Sequence, residues 1–120
     1  MTPTILLVED EPLLREVASE DLQDLGFDTE CARDGEEAIE FLESDRAFAA
    51  LITDIRMPGH FDGWQIAERA RDLRPGIPIV YLSGYSDDGP EPVEGGVYVR
   101  KPYRISDLEG ALVKLGLRAG

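Results

Sequence analysis

The chain has 120 residues, 42% hydrophobic and 31% charged, and its 25 acids outweigh 12 Lys and Arg to give a formal charge of −13. That length bounds the answer to one domain, and the balance is that of an ordinary soluble globule, not of a disordered chain or a membrane protein. So acidic a surface would be repelled by nucleic acid and by anionic lipid, which leaves basic surfaces on protein partners as the better match.

No apolar run approaches the ~20 residues of a membrane span, and the N-terminus lacks the basic-then-apolar pattern of a secretory signal. Cys31 is the only cysteine, which excludes an internal disulfide, fits a reducing cytoplasm, and reads as a small hydrophobe late in a strand.

Thr4-Ile5-Leu6-Leu7-Val8 is a continuous apolar run, the pattern of a strand buried on both faces. It runs into Glu9-Asp10-Glu11 and then Pro12, a good first-turn residue for a helix. Leu14, Val17, Ala18, Leu22 and Leu25 follow at helical spacing, and Gly26 is a natural stop. Phe27 to Ala32 is a more polar strand, suited to a sheet edge. Asp34-Gly35 starts a second helix with Ala38, Ile39 and Leu42 inward, ending near Ser44-Asp45.

The run from Ala49 to Thr53 is again small, apolar and β-branched, yet it delivers a carboxylate, Asp54, to its carboxyl end. Met57-Pro58-Gly59 then forces a turn. Asp62-Gly63 opens a third helix with Ile66, Ala67, Ala70 and Leu73 on one face, ended by Arg74-Pro75-Gly76. Ile77 to Leu82 is a fourth strand, leading into Ser83-Gly84-Tyr85. Gly96 to Arg100 is a fifth, followed by Lys101-Pro102. Ile105, Leu108, Leu112 and Leu115 mark a last amphipathic helix that closes at Gly116.

Strands alternating with helices imply a parallel sheet covered on both faces. Five strands at this size suit a flavodoxin-like three-layer sandwich of order 2-1-3-4-5. In that order the carboxyl ends of strands one, three, four and five share one rim, collecting Glu9, Asp10, Asp54, Ser83 and Lys101. Taken singly, these could be helix-start acids, a turn hydroxyl and a surface cation. Together they are the parts of a phosphoryl-transfer site. Crowded carboxylates suit a hard cation such as Mg²⁺, a lysine and a hydroxyl suit phosphoryl oxygens, and Asp54 is the natural nucleophile.

In this ordered set the chain resembles the receiver domains of response regulators over essentially its whole length. The resemblance rests on Glu9-Asp10, on Asp54 with Met57-Pro58, on Asp62-Gly63, on Ser83 and on Lys101-Pro102. It implies that Asp54 is the phosphoacceptor. It implies further that Asp10, Asp54 and the backbone carbonyl of Arg56 hold Mg²⁺, with Glu9 acting through water, and that Ser83 and Lys101 hold the phosphoryl oxygens. Tyr98, three residues before Lys101, matches the aromatic that turns inward in this family when the Ser or Thr shifts; otherwise it is a half-buried strand aromatic.

The phosphodonor implied is a phosphohistidine on a histidine kinase or histidine phosphotransfer protein, and the output is a contact with a downstream protein. The domain is expected to stand alone, as a monomer or weak dimer, in the cytoplasm.

Three features depart from the family pattern. His60-Phe61 holds one extra residue in the loop beside the site, and the lone His60 reads as a surface residue. Tyr85 resembles a sub-group with an aromatic after Ser/Thr-Gly. Between Ser83 and Lys101 the chain is short. Pro90, Pro92 and Gly89 oppose a helix over 86–95, where only Val93 is apolar, so the fourth helix of the family is expected to be short or missing.

A flavin-binding flavodoxin is disfavoured because Glu9-Asp10-Glu11 would repel a phosphate. An aspartyl phosphatase would carry a second acid where this chain has Arg56. The remaining alternative is a receiver-fold binding module that signals without phosphorylation.

Overall fold

The computed structural model describes residues 2–57, 59–84 and 93–117. Five strands, β1 (Thr4–Val8), β2 (Asp28–Ala32), β3 (Ala50–Asp54), β4 (Ile79–Ser83) and β5 (Val97–Arg100), form one parallel sheet of order β2-β1-β3-β4-β5. The four helices among the described residues are α1 (Pro12–Asp24), α2 (Gly35–Glu43), α3 (Gly63–Leu73) and α4 (Ile105–Lys114).

Side-chain alternation splits the apolar strands between two cores. Leu6, Val8, Leu51, Ile79 and Tyr81 face α2 and α3, whereas Ile5, Leu7, Ile52, Val80 and Val99 face α1 and α4. Strands β3 and β4 are buried throughout, as expected of the middle of a doubly wound sheet.

Local signals place most boundaries. Pro12 occupies the first turn of α1, and Asp34 caps α2 by accepting from the Glu37 N–H at 2.9 Å. Asp62 caps α3 in a reciprocal box with Gln65, each side chain reaching the other's backbone N–H at 2.9 Å.

Gly63 has a second reason to be glycine. Its N–H donates to the Ile55 carbonyl at 2.7 Å, and a Cβ there would lie 2.6 Å from the Ile55 Cα. The start of α3 therefore sits directly against the end of β3, one residue beyond Asp54.

Strands β2, β4 and β5 begin later than expected, β2 at Asp28 and β5 at Val97, each one residue in, and β4 two residues in. Strand β4 begins at Ile79, not Ile77, because Pro78 has no N–H to give the ladder; its carbonyl still accepts from the Leu51 N–H at 2.9 Å. Of the helically spaced apolar residues of α1, Ala18 and Leu22 are buried and Leu25 partly so, but Leu14 and Val17 are 50% and 53% exposed. Leu14 lies in the first turn of α1. With Val17, Leu82, Pro102 and Tyr103 it lines an open cavity of about 390 Å³ beside Lys101.

The expectation of a short or missing helix over 86–95 falls, for residues 86–92, outside the described residues. Val93 to Gly96 form a turn closed by the Gly96 N–H on the Val93 carbonyl at 2.9 Å.

Candidate functional site

The parallel register carries the chemistry to one rim. Val8 pairs with Thr53, Asp54 with Leu82 and Ser83 with Arg100, so the residues just past these pairs are neighbours in space. The Lys101 N–H donates to the Ser83 carbonyl at 2.7 Å, extending the ladder by one step and fixing where the lysine stem starts.

From there the Lys101 ammonium reaches across to Asp54, with Nζ donating to Oδ2 at 2.6 Å. The Asp54 side chain is 9% exposed, so water screens this pair far less than a surface pair. Carboxylate oxygens of Glu9, Asp10 and Asp54 all lie within 4.8 Å of one another.

Three acids and one ammionium leave an excess of negative charge, and the strain falls on Glu9. It is 2% exposed, and its Oε2 is buried without a hydrogen-bond partner. Burial first, then the Asp54 carboxylate as hydrogen-bond acceptor and as like charge, push the Glu9 carboxyl up to about 8, against the opposing pull of Lys101. Asp10, next in the chain, is exposed at the mouth of the pocket.

This donor set fits Mg²⁺. The available atoms are hard carboxylate oxygens, they converge from three residues, and the orphaned Glu9 oxygen is a buried acceptor that a hydrated cation would satisfy. Arg56 lies two residues after Asp54 in the loop that leaves the rim, where its carbonyl is near in sequence to the same pocket.

Ser83 is 6% exposed, and its hydroxyl donates to the Gly84 carbonyl at 3.2 Å, a bond that a stronger acceptor could displace. Tyr103, behind Lys101, has its phenol pushed up to about 12 by burial and then by the charges of Asp21, Glu9 and Asp54.

The structure thus brings Glu9, Asp10, Asp54 and Lys101 together, with Ser83 on the adjoining strand end. Tyr98 stands apart from the acids, 45% exposed on the α3 side of β5. Its ring stacks on Tyr81 at 5.3 Å and meets the edge of Trp64 at 5.9 Å, while Trp64 and Tyr81 are 4.9 Å apart. The Tyr81 hydroxyl accepts from the Val93 N–H at 3.1 Å.

Residue spacing does not group these three aromatics, although Tyr81 at the middle of a buried strand is a signal, since a buried phenol needs a partner. His60 is at the surface as expected, but it is not idle: its N–H and its Nδ1 both lie 3.2 Å from Glu36 Oε1, tying the long loop to the start of α2. Those hydrogen bonds, with the one from the Glu36 N–H first among the causes, hold the Glu36 carboxyl below its ordinary range.

The fold and its rim define the class: a doubly wound α/β domain with an acidic pocket at the carboxyl ends of its strands. Within that class the chain belongs to the response regulator receiver domain family, whose model matches residues 5–112. It is similar to the response regulator MprA of Mycobacterium ulcerans (strain Agy99), with 34% identity over 113 residues that cover 90% of this chain and 47% of that protein. The chain therefore spans about half the length of the curated relatives it matches.

A response regulator receiver protein from Sinorhizobium medicae WSM419 shares the fold with a TM-score of 0.86 and 36% identity, covering 94% of this chain and 93% of that one. The receiver domain of the sensor histidine kinase PA1611 from Pseudomonas aeruginosa PAO1 matches with a TM-score of 0.82 and 26% identity, covering 98% and 100%; that structure has a magnesium ion coordinated in its active-site cleft. Among the described residues no helix is long and apolar enough to cross a membrane.

Proposed function

We propose that this receiver domain is switched by phosphorylation of Asp54. The observation that carries the reading is the Asp54 carboxylate itself: nearly buried at the end of the central strand, paired with Lys101 at 2.6 Å and crowded by two further acids. A structural carboxylate needs the lysine but not the crowding, which costs stability unless a cation or a phosphoryl group makes use of it.

An Asp54 oxygen attacks the phosphorus of a phosphohistidine on a histidine kinase or a histidine phosphotransfer protein. The P–N bond breaks, the imidazole leaves with its electron pair, and an acyl phosphate remains. Lys101 stays within reach of the added charge of about −1.5 to −2, and Ser83 gives up the Gly84 carbonyl to donate to a phosphoryl oxygen. Mg²⁺, held by Asp10, Asp54 and the Arg56 carbonyl with Glu9 reaching it through water, would neutralise the phosphoryl oxygens during transfer. Water later hydrolyses the acyl phosphate and resets the domain. The readout is a protein–protein contact, altered when Ser83 moves and Tyr98 turns inward.

The test is labelling by a small acyl phosphate or phosphoramidate with Mg²⁺. Wild type should take up one phosphoryl group that base or hydroxylamine releases, and Asp54→Asn, close to isosteric, should fold but take up none. Equal labelling of both proteins would overturn the assignment. Absence of labelling in wild type that binds Mg²⁺ would favour a binding module that signals without phosphorylation.

A further inference from the structure

The three acids are not held equally well. Asp54 ends a central strand and is paired with Lys101. Glu9 is buried, and its N–H donates to the Ala32 carbonyl at 3.1 Å, continuing the ladder between β1 and β2. Asp10 lies past the sheet and before α1. It is exposed, and among the described residues its carboxylate accepts no hydrogen bond. Something else must fix the direction in which it points.

Arg15, one turn into α1, folds back over the helix start, and its Nη1 donates to the Glu9 carbonyl at 2.9 Å. Acidic residues flank it at Glu11 and Glu16, yet among the described residues its guanidinium makes no ion pair, only this bond to the main chain. The Glu9 carbonyl and the Asp10 N–H belong to one planar peptide unit. A guanidinium on that carbonyl therefore sets the plane from which the Asp10 Cα and its carboxylate project.

We propose that Arg15 is a positioning residue for the divalent cation: it locks the Glu9–Asp10 peptide so that the Asp10 carboxylate is turned toward Glu9 and Asp54 before the ion arrives. The proposal rests on the metal-binding reading above. It also has a competitor of opposite sign. A cationic side chain near three acids should weaken Mg²⁺ binding if charge is all that matters, and its removal should then tighten it.

The test is Mg²⁺ titration by calorimetry without phosphodonor, on wild type, Arg15→Met and Arg15→Lys. Methionine keeps the stem and loses the donor; lysine keeps a donor and the charge. The expected result is a roughly ten-fold weaker Mg²⁺ affinity in Arg15→Met, the size seen when groups orienting a metal ligand are removed, with Arg15→Lys within about three-fold of wild type. In phosphorylation by a small acyl phosphate, the Mg²⁺ concentration at half-maximal rate should rise while the rate at saturating Mg²⁺ stays near wild type. A merely structural residue would not produce that split.

Affinity equal to or tighter than wild type in Arg15→Met overturns the proposal. Should that variant not fold, Arg15→Gln, which still carries a donor but cannot reach as far, takes its place with the same two outcomes. A wild type that binds no Mg²⁺ overturns the metal reading along with this one, whereas tight binding unaffected by residue 15 overturns this one alone.

Discussion

Glu9→Gln should make the metal-free protein more stable, and the size of the effect follows from the pocket. Folding buries the Glu9 carboxyl beside Asp54 and raises its pKa from 4.5 to about 8. Between those values the folded chain holds a proton that the unfolded chain has released. Stability therefore falls as pH rises from about 4.5, and levels off above about 8.

At ~1.4 kcal/mol per pH unit, this one group costs about 3 kcal/mol at pH 7 relative to its neutral form. Glutamine has no proton to exchange, and its amide can still donate to Asp54. In chelator at pH 7 the variant should be about 3 kcal/mol more stable, or roughly 10 °C in Tm, with the gap closing toward pH 4. Excess Mg²⁺ should narrow the gap from the other side, because a cation satisfies the wild-type carboxylate and binds the variant less well. Urea unfolding at pH 4, 5.5 and 7, with and without Mg²⁺, measures all of this. A variant no more stable than wild type at pH 7 in chelator, or a gap independent of pH, would refute the reasoning.

Other consequences are simpler to state. Gly63→Ala forces a Cβ against the backbone of Ile55 and should cost about 2 kcal/mol in urea unfolding, despite the better helix propensity of alanine; an unchanged midpoint would mean that α3 does not start hard against β3. Tyr98→Ala uncovers the edge of Trp64, so tryptophan emission should shift to the red, and no shift would place the ring elsewhere in solution. A pair of structures, free and with a phosphoryl mimic, should show the Tyr98 ring moved toward Ser83; the same ring position in both removes it from the switch.

Much of this architecture could be read from the sequence because its signals are local. β1 and β3 carry apolar runs, Ile5 to Val8 and Ala50 to Ile52, and Asp34 and Asp62 announce α2 and α3 through their side-chain caps. The rim could be read as well, since in a parallel sheet every strand end points the same way. Asp54, Ser83 and Lys101 are adjacent once the order is known.

What stayed hidden depends on contacts between distant segments. Glu9 and Asp10 are equivalent as neighbouring acids on paper, yet one is 2% exposed and the other open to solvent, a difference set by where the backbone leaves β1. The bond from Arg15 to a main-chain carbonyl leaves no trace in residue type. Trp64, Tyr81 and Tyr98 come from one helix and two strands, and no spacing rule would group them. Leu14 and Val17 keep the helical period but are half exposed, outside the core that the period normally marks.

The central claim is that Asp54 carries the phosphoryl group, and direct chemical localisation tests it. After reaction with a small acyl phosphate and Mg²⁺, borohydride reduction converts an aspartyl phosphate to homoserine, which peptide mass spectrometry can place. The account predicts homoserine at residue 54 and at no other acid, with Glu9 and Asp10 unchanged. Homoserine at another aspartate, or phosphate retained on Ser83 with Asp54 intact, would contradict it.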